Sequence, residues 1–355
     1  MYDLPKLKQD AIKLLKQLIE TPSFSKEEDK TADIINSFFQ ERNIPTQRKM
    51  NNIWAFNQYF DKAKPTILLN SHHDTVKPNT GYTLNPFSAT EKDGKLFGLG
   101  SNDAGGCLVS LIATFVYFFD KPNLPYNFIM AATAEEEISG RNGVELIWNE
   151  LQPIDFAIVG EPTLMDLAIA EKGLMVIDCT AHGQSGHAAR NEGDNAIYKA
   201  IKDIEWIRNY QFPKVSELLG PVKMSVTIIN AGTQHNVIPD KCTFTVDIRV
   251  TDAYKNEEIL DVLRQNLISE INPRSVRLKP SSIDKNHKIV KEGVKMGKKT
   301  YASPTTSDQA LMDCPSLKMG PGDSARSHTA DEFIYIDEIN NGIEDYVKLI
   351  EGMFK

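Results

Sequence analysis

Apolar runs that stop at acidic or histidine-bearing clusters recur along this chain. Residues 66–71 (TILLNS), 127–133 (NFIMAAT) and 155–160 (DFAIVG) are short apolar stretches, with the length and texture of strands buried on both faces. Between them the spacing predicts helices at roughly 105–119 and 141–150. At the front, Leu7, Ile12, Leu15 and Ile19 recur at helical intervals with lysines between them, which predicts an amphipathic helix. Strands alternating with helices predict an α/β domain with a mostly parallel sheet flanked by helices.

The pattern changes after Lys172. Met175, Ile177, Cys179 and Ala181 alternate with Val176, Asp178, Thr180 and His182, and Phe244, Val246, Ile248 and Val250 alternate with Thr243, Thr245, Asp247 and Arg249. Period-2 alternation marks half-exposed antiparallel strands. With helical patterns near 194–210 and 256–270, the order becomes strand, helix, strand, strand, helix, strand, ending near Leu278. That is an α+β, ferredoxin-like arrangement. The expected organisation is the first part of a catalytic domain at 1–171, an inserted α+β domain at 172–281, and the second part of the catalytic domain at 282–355.

Bulk properties narrow the function. At 355 residues the chain has room for two domains. A net charge of -8, with no block of Lys and Arg, argues against a nucleic-acid partner. It leaves an anionic small molecule open, because one arginine in a cleft outweighs distant surface charge. The N-terminal helix lacks the apolar core of a signal peptide. The longest apolar run, Cys107 to Phe119, is short for a bilayer and predicts a buried helix rather than a membrane anchor. Cys107, Cys179, Cys242 and Cys314 are far apart with no C-x-x-C pair, as expected for reduced thiols in a cytoplasmic protein.

The chemistry lies in six islands: Ser71-His72-His73-Asp74, Asn102-Asp103, Glu135-Glu136-Glu137, Gly160-Glu161-Pro162, Ser185-Gly186-His187 and Ser327-His328-Thr329. Four of the first five follow, or open just after, a predicted strand, where an open α/β sheet places its ligands. His72 and Asp74, two apart, project to one side while His73 points away. Asp74 could fix the tautomer of a ligand His72; alone, the pair reads equally as a satisfied core histidine. Gly98-Leu99-Gly100-Ser101-Asn102-Asp103 resembles the start of a phosphate loop, but its final carboxylate would repel a phosphate. The glycines instead shape a turn that presents Asp103, as a ligand or as a helix N-cap. Three adjacent glutamates repel one another unless a cation or solvent intervenes. One can bind metal while its neighbour acts as general base on a water, or all three simply open a helix. Histidines with carboxylates and no cysteine suit zinc, with cobalt or manganese as substitutes.

In this order the islands resemble the M20 family of dinuclear zinc aminoacylases and exopeptidases, and within it the acetylornithine deacetylase and succinyl-diaminopimelate desuccinylase branch. The likeness covers nearly the whole chain through S-H-H-D-T-V, G-L-G-S-N-D, T-A-E-E-E, G-E-P-T, H-G-Q-S-G-H-A-A-R, N-V-I-P-D, D-I-R and S-H-T-A-D-E. The resemblance implies two zinc ions per subunit, one on His72 and Glu161 and the other on Glu137 and His328, with Asp103 bridging. It implies that Asp74 orients His72, that Glu136 is the general base, and that His187 reaches the partner subunit's site to stabilise the oxyanion. It implies a homodimer formed through the inserted lid domain, with Asn236 and Arg249 contacting substrate. Arg249 also lies on the polar face of its strand, where a guanidinium can take a carboxylate in two bonds or pair with Asp247. The sequence departs from the family at Asp103-Ala104-Gly105-Gly106, where Asp-Met-Lys-Gly-Gly is usual, and at Glu135, where Asp is commoner. Neither position is a ligand, but both blur the subfamily.

The implied reaction is hydrolysis of an N-acyl amino acid, foremost deacylation of N-acetyl-ornithine or an N-acyl-citrulline in arginine biosynthesis. The rivals are a succinyl-diaminopimelate desuccinylase, a dipeptidase or aminopeptidase of the same family, and a non-catalytic metal-binding relative. In the loop before His328, Asp323 could meet a cationic side chain, Arg326 could meet an anionic acyl group, or both could face solvent.

Overall fold

The three apolar runs are strands, and each splits its side chains between two cores. The computed structural model describes residues 3–190 and 192–355. Strand Thr66–His72 runs parallel to Asn127–Thr133 on one side and to Phe156–Val159 on the other. Ser316–Lys318 adds a fourth parallel strand beside Phe156–Val159. Asn52–Phe56 and Leu167–Glu171 flank this centre in antiparallel pairing. Ile67, Leu69, Phe128, Met130, Phe156 and Ile158 enter one hydrophobic cluster. Their neighbours Leu68, Ile129, Ala131, Ala157 and Val159 enter another, with Trp54, Val144, Ile147 and Leu151. A strand buried on both faces has no polar side to show, which is why these runs are continuous rather than alternating.

Helices Leu4–Ile19, Gly106–Phe119 and Ile336–Gly352 feed the first cluster and Val144–Leu151 the second. In the first helix Leu7, Leu15 and Ile19 are buried as the spacing predicts. Ile12 is only half-buried, and Ala11, Leu14 and Leu18 complete the buried stripe instead. Every residue of Gly106–Phe119 except Tyr117 is buried. With the preceding turn, Ser101–Phe119 reaches the length and apolarity of a membrane span, but it is the core helix of this unit.

The chain divides into two compact units. One runs to Ile169 and resumes at Ser282–Tyr301 and Ser307–Lys355; the other is Ala170–Ser281 with Ala302–Thr306. The second unit carries a four-stranded antiparallel sheet in the order Lys223–Ala231, Lys241–Val250, Gly173–His182, Glu270–Pro273. Helices Ala196–Asn209 and Asn256–Asn266 connect its strands. Met175, Ile177, Cys179 and Ala181 face a core shared with Phe244, Val246, Ile248 and Val250.

Candidate active site

The carboxyl ends of three neighbouring parallel strands deliver the site. His72 ends Thr66–His72 in register with Thr133, the last residue of its neighbour, and Glu135-Glu136-Glu137 begins two residues later. Glu161 stands just past Phe156–Val159. Asp103 comes from the irregular turn Ser101–Gly105 that leads into the core helix. His328, with φ near +60°, lies between the short turn Ser324–Arg326 and strand Phe333–Tyr335.

These side chains form two donor groups, His72 with Asp103 and Glu161, and Asp103 with Glu137 and His328. Asp103 belongs to both and divides its oxygens between them. Its Oδ1 lies 3.4 Å from His72 Nε2 and its Oδ2 3.6 Å from His328 Nε2. His72 Nε2 is also 3.8 Å from Glu161 Oε1 and 3.8 Å from Glu136 Oε2. A tetrahedral site with metal–ligand bonds of about 2.0–2.1 Å sets neighbouring ligand atoms roughly 3.3 Å apart, so this spacing fits ligands around a shared cation. The proton position on His72 agrees. Its Nδ1 is 3.0 Å from the backbone carbonyl of Asp74, which can only accept. In the neutral ring a metal requires, Nε2 then presents the lone pair, and it is buried with no hydrogen-bond partner. An orphaned buried acceptor aimed at carboxylates is unfavourable unless a cation takes it, and the all-N/O donor set suits a divalent metal.

The electrostatics ask for the same thing. Burial, with Asp103 beside it, pushes the Glu161 carboxyl up to about 8 against the pull of His72 and Lys318. Burial and the neighbouring Glu161, Asp308 and Glu137 carboxylates hold Glu136 well above the carboxylate range, although His72 opposes them. Burial alone would discharge His72, yet Glu136, Asp103 and Asp74 hold its imidazole well above the usual value. The hydrogen bond to Glu137, 3.0 Å from Nε2, leads in raising His328 to about 9. Carboxylates crowded this closely keep their charge only with positive charge among them.

Asp74 holds more than His72. Its carboxylate is 3.4 Å from His72 Nδ1, and it accepts the backbone N–H groups of Glu136 (3.0 Å) and Glu137 (3.2 Å) and the hydroxyl of Ser25 (2.6 Å). It thus fixes the turn that aims both glutamates. Glu135 turns away into the protein and accepts from Asn142 Nδ2 at 2.8 Å. His73 also points away, spanning Thr31 Oγ1 and the Asn51 carbonyl at 2.9 Å each. Sequence reasoning missed Ser25 and Asp308, and it quoted Glu332 only as the end of S-H-T-A-D-E, without a role. Asp308 is buried, accepts from Thr133 Oγ1 at 2.7 Å, and is raised to about 6, chiefly by burial. Their roles depend on groups up to 232 residues away in the chain, so no local spacing reveals what they do.

In the loop before His328 both charged side chains have partners within the protein. Arg326 makes a two-bond pair with Glu338, at 2.7 and 2.9 Å, and the Asp323 side chain caps the following turn through Ala325 N–H. His187, Asn236 and Arg249 belong to the second unit. Gly186–His187 pairs with Val237–Ile238, and the Asn236 carbonyl accepts Ala188 N–H at 3.0 Å, so His187 and Asn236 are neighbours. The His187 ring is exposed and its Nδ1 accepts Ala189 N–H at 3.1 Å. Arg249 binds Asp247 through Nε at 2.8 Å and Nη2 at 3.1 Å. That pair occupies the Nε and Nη2 side of the guanidinium.

Comparison with known proteins bears on the family and the fold. The model for peptidase family M20/M25/M40 matches residues 68–352. The acetylornithine deacetylase of Proteus mirabilis is 29% identical over 377 residues, covering 96% of each chain. A succinyl-diaminopimelate desuccinylase of Wolbachia pipientis is 25% identical, covering 98% of this chain and 94% of the relative. Among solved structures, the aminopeptidase PepT of Bacillus cereus superposes with a TM-score of 0.79 at 17% identity, over 98% of this chain and 99% of that one. The Bacillus subtilis YXEP protein, a dinuclear metal-binding peptidase, does so at 0.74 and 16%, over 98% of both chains.

Proposed function

The chain belongs to peptidase family M20/M25/M40 and is a metal-dependent amidohydrolase; from that premise we propose that it deacylates an N-acyl amino acid, N-acetyl-ornithine or an N-acyl-citrulline, in arginine biosynthesis. The observation that carries the hydrolytic reading is the division of labour around Asp103. That residue joins both donor groups, while Glu136 stands beside His72 and belongs to neither. His72, Asp103 and Glu161 would hold one zinc ion and Asp103, Glu137 and His328 the other, with cobalt or manganese able to replace them. Bound there, the metals acidify water and polarise a carbonyl. Glu136 takes the proton of the attacking water and delivers it to the leaving amine nitrogen, a role suited to a carboxyl held above its ordinary range. His187, with Nδ1 occupied by Ala189 N–H, offers Nε2–H to the developing oxyanion. Asp247 steadies Arg249 for the substrate carboxylate, and Asn236 stands beside His187.

The acetyl reading is supported over the succinyl one by Arg326. The residue that could have met a second carboxylate in this loop is held by Glu338. We also propose a cytoplasmic homodimer formed through the second unit. Cys107, Cys179 and Cys242 are buried free thiols. Strand Lys223–Ala231 ends its sheet with Ile228 and Ile229 each about half exposed, and the helix beside it exposes Tyr198 and Ile201. An apolar open strand edge invites a second copy.

The deciding experiment assays acetylornithine, acetylcitrulline, their succinylated analogues and dipeptides side by side, with zinc and with cobalt. Turnover should be highest on the acetylated amino acids. Glu136→Gln should lose on the order of 10²–10⁴-fold in kcat while binding metal like the wild type. Preference for dipeptides, or near-normal turnover by Glu136→Gln, would sink the corresponding assignment.

A further inference from the structure

Glu332 lies four residues past His328 and is 2% exposed. Its Oε1 accepts the backbone N–H groups of Asn102 (2.8 Å) and Asp103 (2.9 Å), and its Oε2 accepts that of Gly100 (3.0 Å). Its own carbonyl accepts Gly98 N–H at 3.0 Å. Four amides of the segment 98–103 thus end on one residue. The following strand, Phe333–Tyr335, continues the contact by pairing with Lys95–Phe97. The turn gripped in this way carries Asp103, which gives one oxygen to each donor group, and the gripping segment carries His328. Gly100, at φ +75°, is a position where a side chain would be strained and would meet Thr75 Cγ2 at 2.6 Å. Within the segment Ser101 N–H bonds the Gly98 carbonyl and Gly105 N–H the Gly100 carbonyl, while the N–H groups of Gly98, Gly100, Asn102 and Asp103 go to Glu332.

We propose that Glu332 is a positioning residue, a latch that fixes the Asp103 turn against the His328 segment and so sets the spacing of the two metal groups. This rests on the metal reading above. Only a carboxylate serves all three side-chain bonds. A glutamine offers one acceptor oxygen and turns an NH2 group toward at least one backbone N–H, leaving buried donors unpaired. Three N–H groups converging on one anion also form a nest that favours negative charge. Residues that orient ligands in this way typically govern metal affinity without touching the metal.

The test compares wild type, Glu332→Gln, Glu332→Asp and Asp331→Asn. Asp331 instead holds the Thr83 and Leu84 N–H groups, so its variant reports the effect of loosening the same segment elsewhere. Amide exchange of the metal-free proteins, zinc and cobalt titration, and steady-state kinetics are measured on the full chain. Glu332→Gln should exchange faster across residues 98–104, bind metal roughly 10–100-fold more weakly, and lose kcat with little change in KM. Glu332→Asp, which keeps the charge with a shorter reach, should fall between; it also carries the comparison if the glutamine variant does not fold. Asp331→Asn should titrate like wild type. Wild-type exchange and metal binding in both Glu332 variants would overturn the latch and leave the metal reading standing. A wild-type chain that binds no metal would overturn the metal reading, and the latch with it.

Discussion

Asp74 shows how one side chain can decide the aim of several others. It faces His72 Nδ1 and also receives the N–H groups of Glu136 and Glu137. Asparagine keeps one acceptor oxygen but sets an NH2 group against the Glu136 N–H in one orientation and the Glu137 N–H in the other. Asp74→Asn should therefore weaken metal binding and kcat together, by about 10–100-fold, with KM less affected. Metal titration beside initial-rate kinetics checks this, and a variant with wild-type affinity would mean that the turn holds its own shape. The adjacent His73 does a different job, at the level of stability. Burial lowers its pKa from 6.5 to about 4. Above pH 6.5 the ring is neutral both folded and unfolded, so its contribution is intact. As pH falls from 6.5 toward 4 the unfolded chain takes up the proton first, and on the order of 3 kcal/mol of stability is lost. Urea unfolding of the metal-free protein between pH 4 and 7 should show that slope, and His73→Gln should flatten it; parallel slopes would refute the assignment. At this scale the sequence marked the residues that stand together at strand ends. It left Asp308 and Ser25 unmarked and gave Glu332, the end of S-H-T-A-D-E, no role, because a carboxylate or hydroxyl that bonds a group remote in the chain carries no local spacing signal.

The strands show why an element can position chemistry more firmly than a loop. Glu161 follows Gly160, which sits where a Cβ would meet Leu111 Cδ1 at 2.7 Å, Ser71 Cβ at 3.1 Å and Cys107 Cβ at 3.2 Å. Ser71 also donates its hydroxyl to the Gly160 carbonyl at 2.8 Å. Gly160→Ala should cost about 1–3 kcal/mol by overpacking and push Glu161 away from His72. Thermal unfolding and metal titration should both register the change; a stability loss with unaltered titration would show that Leu111 alone gives way. The buried parallel strands and the core helix were legible because continuous apolar runs have few other readings. Helix Asp29–Gln40 was not read, although Thr31, Ala32, Ile35, Phe38 and Phe39 recur at helical spacing and form its buried face; at twelve residues with a polar Thr31 in the stripe its signal is short. The predicted helix at 256–270 overruns for a tertiary reason. It ends at Asn266, Leu267 is extended, and Asp203 on another helix accepts the N–H groups of Ile268 and Ser269. That anchor lies 65 and 66 residues back in the chain, beyond the reach of any periodicity.

At the scale of the molecule, the proposed division of catalysis between units makes a demanding prediction. Glu136 and the donor groups lie in the first unit, while His187 lies in the second. If His187 serves the partner's site, no single chain of the dimer is complete by itself. His187→Ala and Glu136→Gln should then each be nearly inactive alone. Co-expressed in equal amounts, half their dimers pair one chain of each kind. In such a dimer the His187→Ala chain keeps Glu136 and receives His187 from its partner, which makes one working site of two. The mixture should recover about a quarter of wild-type activity, as expected for a two-fold dimer with shared sites. If His187 acts within its own chain, the mixture stays as inactive as its parts. Ile228→Lys, which puts charge on the open strand edge, should yield monomers by sedimentation and abolish both wild-type activity and the complementation. An active Ile228→Lys monomer would separate the two ideas, keeping His187 in the chemistry and removing the partner from it.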